Sequence, residues 1–137
     1  MAGTPLTLAD LPERQSPATA TRTFARRPED VPAARRFVRD ALDGHPASSD
    51  AELLTCELVT NAIRHATDAG WVAVAVMRSG GVVHVDVADD GRAGLPRWRE
   101  AAGQDETGRG FQLVNAIAQR WGFRRERAGT CFWFEIA

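Results

Sequence analysis

The sequence predicts a two-layer α/β sandwich, with a mixed β-sheet covered by helices on one face and open on the other. Three observations predict it. Two pairs of strand-like segments are each joined by a glycine-bearing turn: Trp71 to Val76 with Val82 to Val87, and Trp121 to Arg127 with Thr130 to Ile136. Two helical segments precede the first pair, and a third lies between the pairs. The chain has 137 residues, 44% of them hydrophobic, which suffices for one core and argues against a second.

The stretch up to about residue 20, with Pro5, Pro12, Pro17 and several threonines, reads as a flexible tail, and residues 21–137 as the domain. A short strand is expected from Arg22 to Ala25. Pro32 suits the first position of a helix that runs to about Leu42, because its missing N–H is one the helix would leave unpaired anyway. Ala34, Phe37, Val38 and Leu42 share one face of it, and Gly44-His45-Pro46 ends it.

Ser49 followed by Glu52 is a capping box, so the next helix is expected from about Asp50 to His65. Cys56, Val59, Ala62, Ile63 and Ala66 recur at helical spacing on its packed side. Glu57 and Asn61 lie one turn apart on the other side, where a carboxylate and a carboxamide can converge on one ligand. Asp50, Arg64 and Asp68 project in the same sector, so this face also reads as a solvated one.

After the turn at Ser79-Gly80-Gly81 the chain alternates, with Val83, Val85 and Val87 against His84, Asp86 and Ala88, the pattern of a strand with one buried face. One further step puts Asp89 in phase with the valines. A carboxylate aimed at a core needs donors. An exocyclic amine such as adenine N6 is one; an Asx-type turn is the other, compatible, reading of Asp89-Asp90-Gly91.

Residues from Arg92 to Thr107 form a connection too long for ordinary punctuation, as lids and binding loops are. Within it Arg97, Trp98 and Arg99 read either as ligand or partner contacts or as part of a short amphipathic helix with Leu95. Gly108-Arg109-Gly110 then stands before a helix beginning at Phe111, in which Leu113, Val114, Ile117 and Ala118 recur with helical period. Glycines let a backbone approach phosphate, the free amides of the helix start attract its charge, and Arg109 could add a charge-assisted contact. As a bare tripeptide the same residues are common loop punctuation. The order of the three motifs, each on its element, reads as an ATP site.

The three motifs together resemble the GHKL family of ATPases and kinases, and within it the small anti-sigma-factor serine/threonine kinases. Glu57-Leu58-Val59-Thr60-Asn61-Ala62-Ile63-Arg64-His65-Ala66 resembles the family's N box, Val85 to Gly91 its first glycine box, and Gly108 to Val114 its second. The flanks, Pro32 to Val38 and Gly129 to Ile136, are similar too, so the likeness covers roughly residues 20–137. It implies a Bergerat-type sandwich with an ATP lid and ATP with Mg2+ as cofactors. Glu57 matches the family's general base, Asn61 its magnesium ligand and Asp89 its adenine-binding aspartate. The nucleotide-binding set it implies is Asn61, Asp89, Gly91, Gly94, Thr107, Gly108, Arg109 and Gly110. The family usually has a second glycine where this chain has Ala93, so Gly94 could carry the hinge instead. His65 fits the family pattern as a packing or orienting residue.

The activity implied is protein serine/threonine kinase, acting on an anti-anti-sigma partner of the STAS type and so controlling a sigma factor. The alternative is a silent module that holds ATP and sequesters a sigma factor or other regulator. A sensor histidine kinase core ranks below both, because none of His45, His65 and His84 sits on a dimerisation helix beside an acid. A homodimer is left open.

Composition fits a small cytoplasmic globular domain. The formal net charge of -1 makes no case for nucleic acid. All 17 basic residues counted with lysine are arginine, which excludes a Walker-type phosphate loop. Cys56 and Cys131 have neither metal-site spacing nor a disulfide framework, and both are expected as inert core thiols. No run is long enough for a membrane span, and the first twenty residues lack a signal-peptide core.

Overall fold

Five strands form one sheet in the order β1-β2-β3-β5-β4, with every neighbouring pair antiparallel. They are β1 (Ala18–Ala25), β2 (Trp71–Ser79), β3 (Val82–Asp89), β4 (Arg120–Glu126) and β5 (Gly129–Ile136), with helices α1 (Val31–Ala41), α2 (Ser48–Arg64) and α3 (Glu106–Ile117). A short 3-10 turn, Pro28–Asp30, leads into α1. This computed structural model describes residues 18–64, 70–90, 106–126 and 129–137.

The α/β class is as expected, but the sheet is antiparallel rather than mixed. Two hairpins, β2-β3 and β4-β5, set alternate directions, and the α1-α2 connection returns the chain so that β1 also opposes β2. Strand β1 begins at Ala18, ahead of the domain start expected at residue 21, because its pairing with β2 reaches back to Ala18↔Arg78. The β2-β3 hairpin turns on Gly80, whose φ of 62° suits a residue without a Cβ.

The core lies between the sheet and the helices. Val72, Val74 and Val76 from β2, Val83, Val85 and Val87 from β3, and Phe132, Phe134 and Ile136 from β5 face Val38, Leu54, Leu58, Val59 and Val114. Helix α2 is the centre of the helical layer, packed on α1, α3 and β3. It therefore buries a wider arc than its alternation suggested. Ala51, Leu54, Thr55 and Leu58 are buried with Val59 and Ala62, whereas Cys56 and Ile63, expected in the packed phase, are only half-buried. Ala66 lies outside the described residues.

The start of α2 also differs. The first α-helical bond runs from the Ala51 N–H to the Ala47 carbonyl, and the Ala47 N–H donates to His45 Nδ1 at 3.0 Å. Ser49 is thus inside the helix, not at its cap. Glu52 makes no return bond; its carboxylate accepts from Arg39 and Arg35 of α1, at 2.6 and 3.1 Å, and these guanidinium groups hold it below the usual carboxylate range. A tertiary ion-pair cluster has displaced a local cap.

Strand β3 is buried on both faces, not on one. His84 and Asp86, on the face away from the helices, are 5% and 7% exposed. They form a closed polar network: His84 Nε2 meets Asp86 at 2.8 Å, His84 Nδ1 meets Glu135 at 2.9 Å, and the Arg120 Nε donates to Glu135 at 3.0 Å. Trp133 stacks on the His84 ring with centroids 5.5 Å apart. Polar side chains that satisfy one another can be buried where an alternating pattern predicts water.

Candidate functional site

Helix α2 carries Glu57 and Asn61 on the flank of its buried arc, and both are half-buried. Spacing of four residues stacks them on one side of the helix. The helix rests on β3, whose end carries Asp89, and on α3, whose first turns carry Thr107, Gly108, Arg109 and Gly110. All three motif-bearing elements therefore meet around α2.

The end of β3 is the most constructed part of this region. Asp89 accepts a hydrogen bond from the Thr130 hydroxyl at 2.8 Å, across the register pair Asp89↔Thr130. Asp90 is ion-paired with Arg26, whose side chain is fully buried at the end of β1. The Arg26 N–H donates to the Gly70 carbonyl at 3.1 Å, tying the same corner to the start of β2. Two glycines make room for this arrangement. A Cβ on Gly70 would lie 2.6 Å from Arg26 Nη2 and would also strike Asp90, and one on Gly129 would collide with the Asp89 carbonyl. Asp89 thus has the valine phase expected of it and a donor within the protein.

Asn61 carries an unmet capacity. Its Nδ2 is buried and has no hydrogen-bond partner among the described residues. Which end of a carboxamide is nitrogen is an assignment made from its partners, so the same buried position serves equally for Oδ1. A buried polar end without a partner is what a residue held for a ligand presents. An amide oxygen suits magnesium, which takes oxygen donors and keeps phosphate and water in its shell. The donor expected to hold the metal therefore fits it.

The second glycine motif differs from expectation in its local structure. Gly108-Arg109-Gly110 is not a loop ahead of the helix but part of it, since α3 begins at Glu106. Glycine weakens a helix interior by about 1 kcal/mol relative to alanine, and the downstream packing of Val114, Leu113 and Ile117 on the core outweighs this. The expected site residues Gly91 and Gly94, together with Ala93, His65, Arg97, Trp98 and Arg99, lie outside the described residues, as does the proposed lid from Arg92 as far as residue 105.

Arg26, Asp90, Gly70, Gly129 and Thr130 were missed by sequence reasoning. Each stands near the end of a strand, and only the pairing of strands distant in the chain brings them together. Asp90 was the one accessible hint, as the second carboxylate of an Asp-Asp-Gly run.

Cys131 is buried and Cys56 half-buried, and the two are not joined in a disulfide. Burial raises the Cys56 thiol above its usual value, so it is the less reactive for being partly enclosed. No helix among the described residues is long and apolar enough to cross a membrane.

Residues 24–136 match a family model described as the histidine kinase-like ATPase domain. No curated protein matched the chain significantly.

Proposed function

From the premise that this chain belongs to the histidine kinase-like ATPase domain family, we propose that it is a serine/threonine kinase that transfers the γ-phosphoryl group of ATP to a STAS-type anti-anti-sigma partner, and so controls a sigma factor. ATP binding and ATP-dependent chemistry belong to the family as a whole. The choice of acceptor is the finer reading.

One observation carries it: Glu57 and Asn61 stand one turn apart on the helix that packs on both β3 and α3. A carboxylate retained beside the asparagine favours an enzyme over a module that only holds nucleotide. In the proposed reaction Glu57 takes the proton of the acceptor hydroxyl, whose oxygen bonds to the γ-phosphorus as the bond to the bridging oxygen breaks and ADP leaves. Asp89, steadied by Thr130, accepts the adenine amine. The first turn of α3, where Gly108 permits close backbone approach, offers its free amides to phosphate. Asn61 would hold magnesium, which when bound neutralises phosphate charge.

The test is transfer of labelled γ-phosphate to a STAS-type protein by wild type and by Glu57→Gln. A general base contributes roughly 10²- to 10⁴-fold to rate while contributing little to ground-state binding. The expected result is retained Mg-ATP and partner binding with transfer reduced at least a hundredfold. A wild type that binds ATP and partner yet transfers nothing would make the sequestering module, with a sigma factor as its partner, the better account.

A further inference from the structure

A guanidinium with no exposed surface has to find an anion when the chain folds, because an uncompensated buried charge is costly. Arg26 is such a group, and the anion is Asp90, 64 residues away and 13% exposed. Asp90 directly follows the last residue of the central strand. Its neighbour Asp89 is anchored on the other side, by Thr130 of β5. Two adjacent carboxylates are therefore held by different partners, one from the β1-β2 side and one from the β5 side. A Cβ on Gly70, just before β2, would strike the paired side chains of Arg26 and Asp90, and one on Gly129, the first residue of β5, would strike the backbone of Asp89.

We propose that Arg26 is a positioning residue of the nucleotide site, acting through Asp90 to hold the end of β3 so that the Asp89 carboxylate keeps its aim. The inference rests on the reading of Asp89 as the adenine acceptor. Without Arg26, Asp90 loses the buried guanidinium that holds it, and the end of β3 shifts outward as its anchor on the β1-β2 side is lost. Asp89 moves with it. Arg26 also cancels one of two neighbouring negative charges near which a polyanionic nucleotide has to bind.

The experiment measures dissociation constants for ATP and GTP by calorimetry on the full chain, well below each variant's melting temperature. Wild type, Arg26→Gln, Arg26→Lys, Asp90→Asn and the double variant Arg26→Gln/Asp90→Asn are compared, with Asp89→Asn as the reference for lost base recognition. Arg26→Gln is expected to weaken ATP about tenfold and to shrink the ATP-over-GTP preference toward that of Asp89→Asn. Arg26→Lys should recover part of both, and the double variant should be scarcely worse than either single one, because both act on one pair. A purely structural ion pair would lower the melting temperature and leave the preference of the folded protein untouched, which overturns the proposal. So does strict additivity in the double variant. If Arg26→Gln does not fold, Asp90→Asn, equal in size and lacking only the charge, decides by the same ratio. A wild type with no preference for ATP removes the adenine reading itself and the inference with it, a result distinct from a preference that survives every change at Arg26.

Discussion

The hydroxyl of Thr130 donates to the carboxylate of Asp89 over 2.8 Å, and in doing so joins the end of the central strand to the start of its neighbour. That bond sets the orientation of the carboxylate, an acceptor-only group of the kind a ligand amine needs. Guanine offers a carbonyl where adenine offers an amine. Two facing acceptors cost on the order of 1–3 kcal/mol, so the chain should bind ATP about tenfold or more tightly than GTP. Calorimetry with both nucleotides checks this, and Thr130→Val should reduce the difference without abolishing it.

Asn61 leads to a prediction about the ion. If its buried amide holds magnesium, Asn61→Ala should weaken ATP binding in magnesium buffer and change it little in chelator. Titrations of the same sample under both conditions separate this from a direct phosphate contact, for which the loss would be the same in each.

Gly129 is predicted to be intolerant of any side chain. A Cβ there collides with the backbone of Asp89, the last residue of the central strand, and of Asp90 after it, and main chain cannot swing aside as a flexible side chain would. Gly129→Ala should cost about 1–3 kcal/mol or more of stability, seen as a lower denaturant midpoint. Gly44, with open space around it, is the contrast only in sterics: its φ of 79° still disfavours alanine.

His84 makes the fold sensitive to pH. Both ring nitrogens face carboxylate oxygens, an arrangement in which only the doubly protonated ring can donate to Asp86 and Glu135 together. Burial alone would lower its pKa; the bonds to Asp86 and Glu135 outweigh that and raise it above the usual 6.5. The charged ring therefore binds its proton more tightly folded than unfolded. Its contribution is complete below pH 6.5 and is lost as the pH rises through the folded value. Chemical denaturation from pH 6 upward should show wild type losing an increment of stability that His84→Gln does not lose.

Much of this architecture was legible in the chain. Alternation located β3 and placed Asp89 in phase with Val83, Val85 and Val87, because a strand's two-residue period is local and survives without knowledge of partners. Helical spacing likewise placed Glu57 beside Asn61. Turn chemistry at Gly80 and Gly129 marked both hairpins.

What the sequence could not determine depends on groups distant along the chain. Ser49 and Glu52 satisfied every local rule for a capping box, yet Glu52 went to Arg35 and Arg39, since two guanidinium groups from α1 outbid one backbone N–H. The alternation of β3 predicted water on the face of His84 and Asp86, and a network completed by Glu135 and Trp133 buried it instead. The pairing of Arg26 with Asp90 spans 64 residues and carries no periodic signature. Periodicity reports which side of an element is apolar; only the sheet register decides which polar groups from separate strands become neighbours, and here that register built the end of β3.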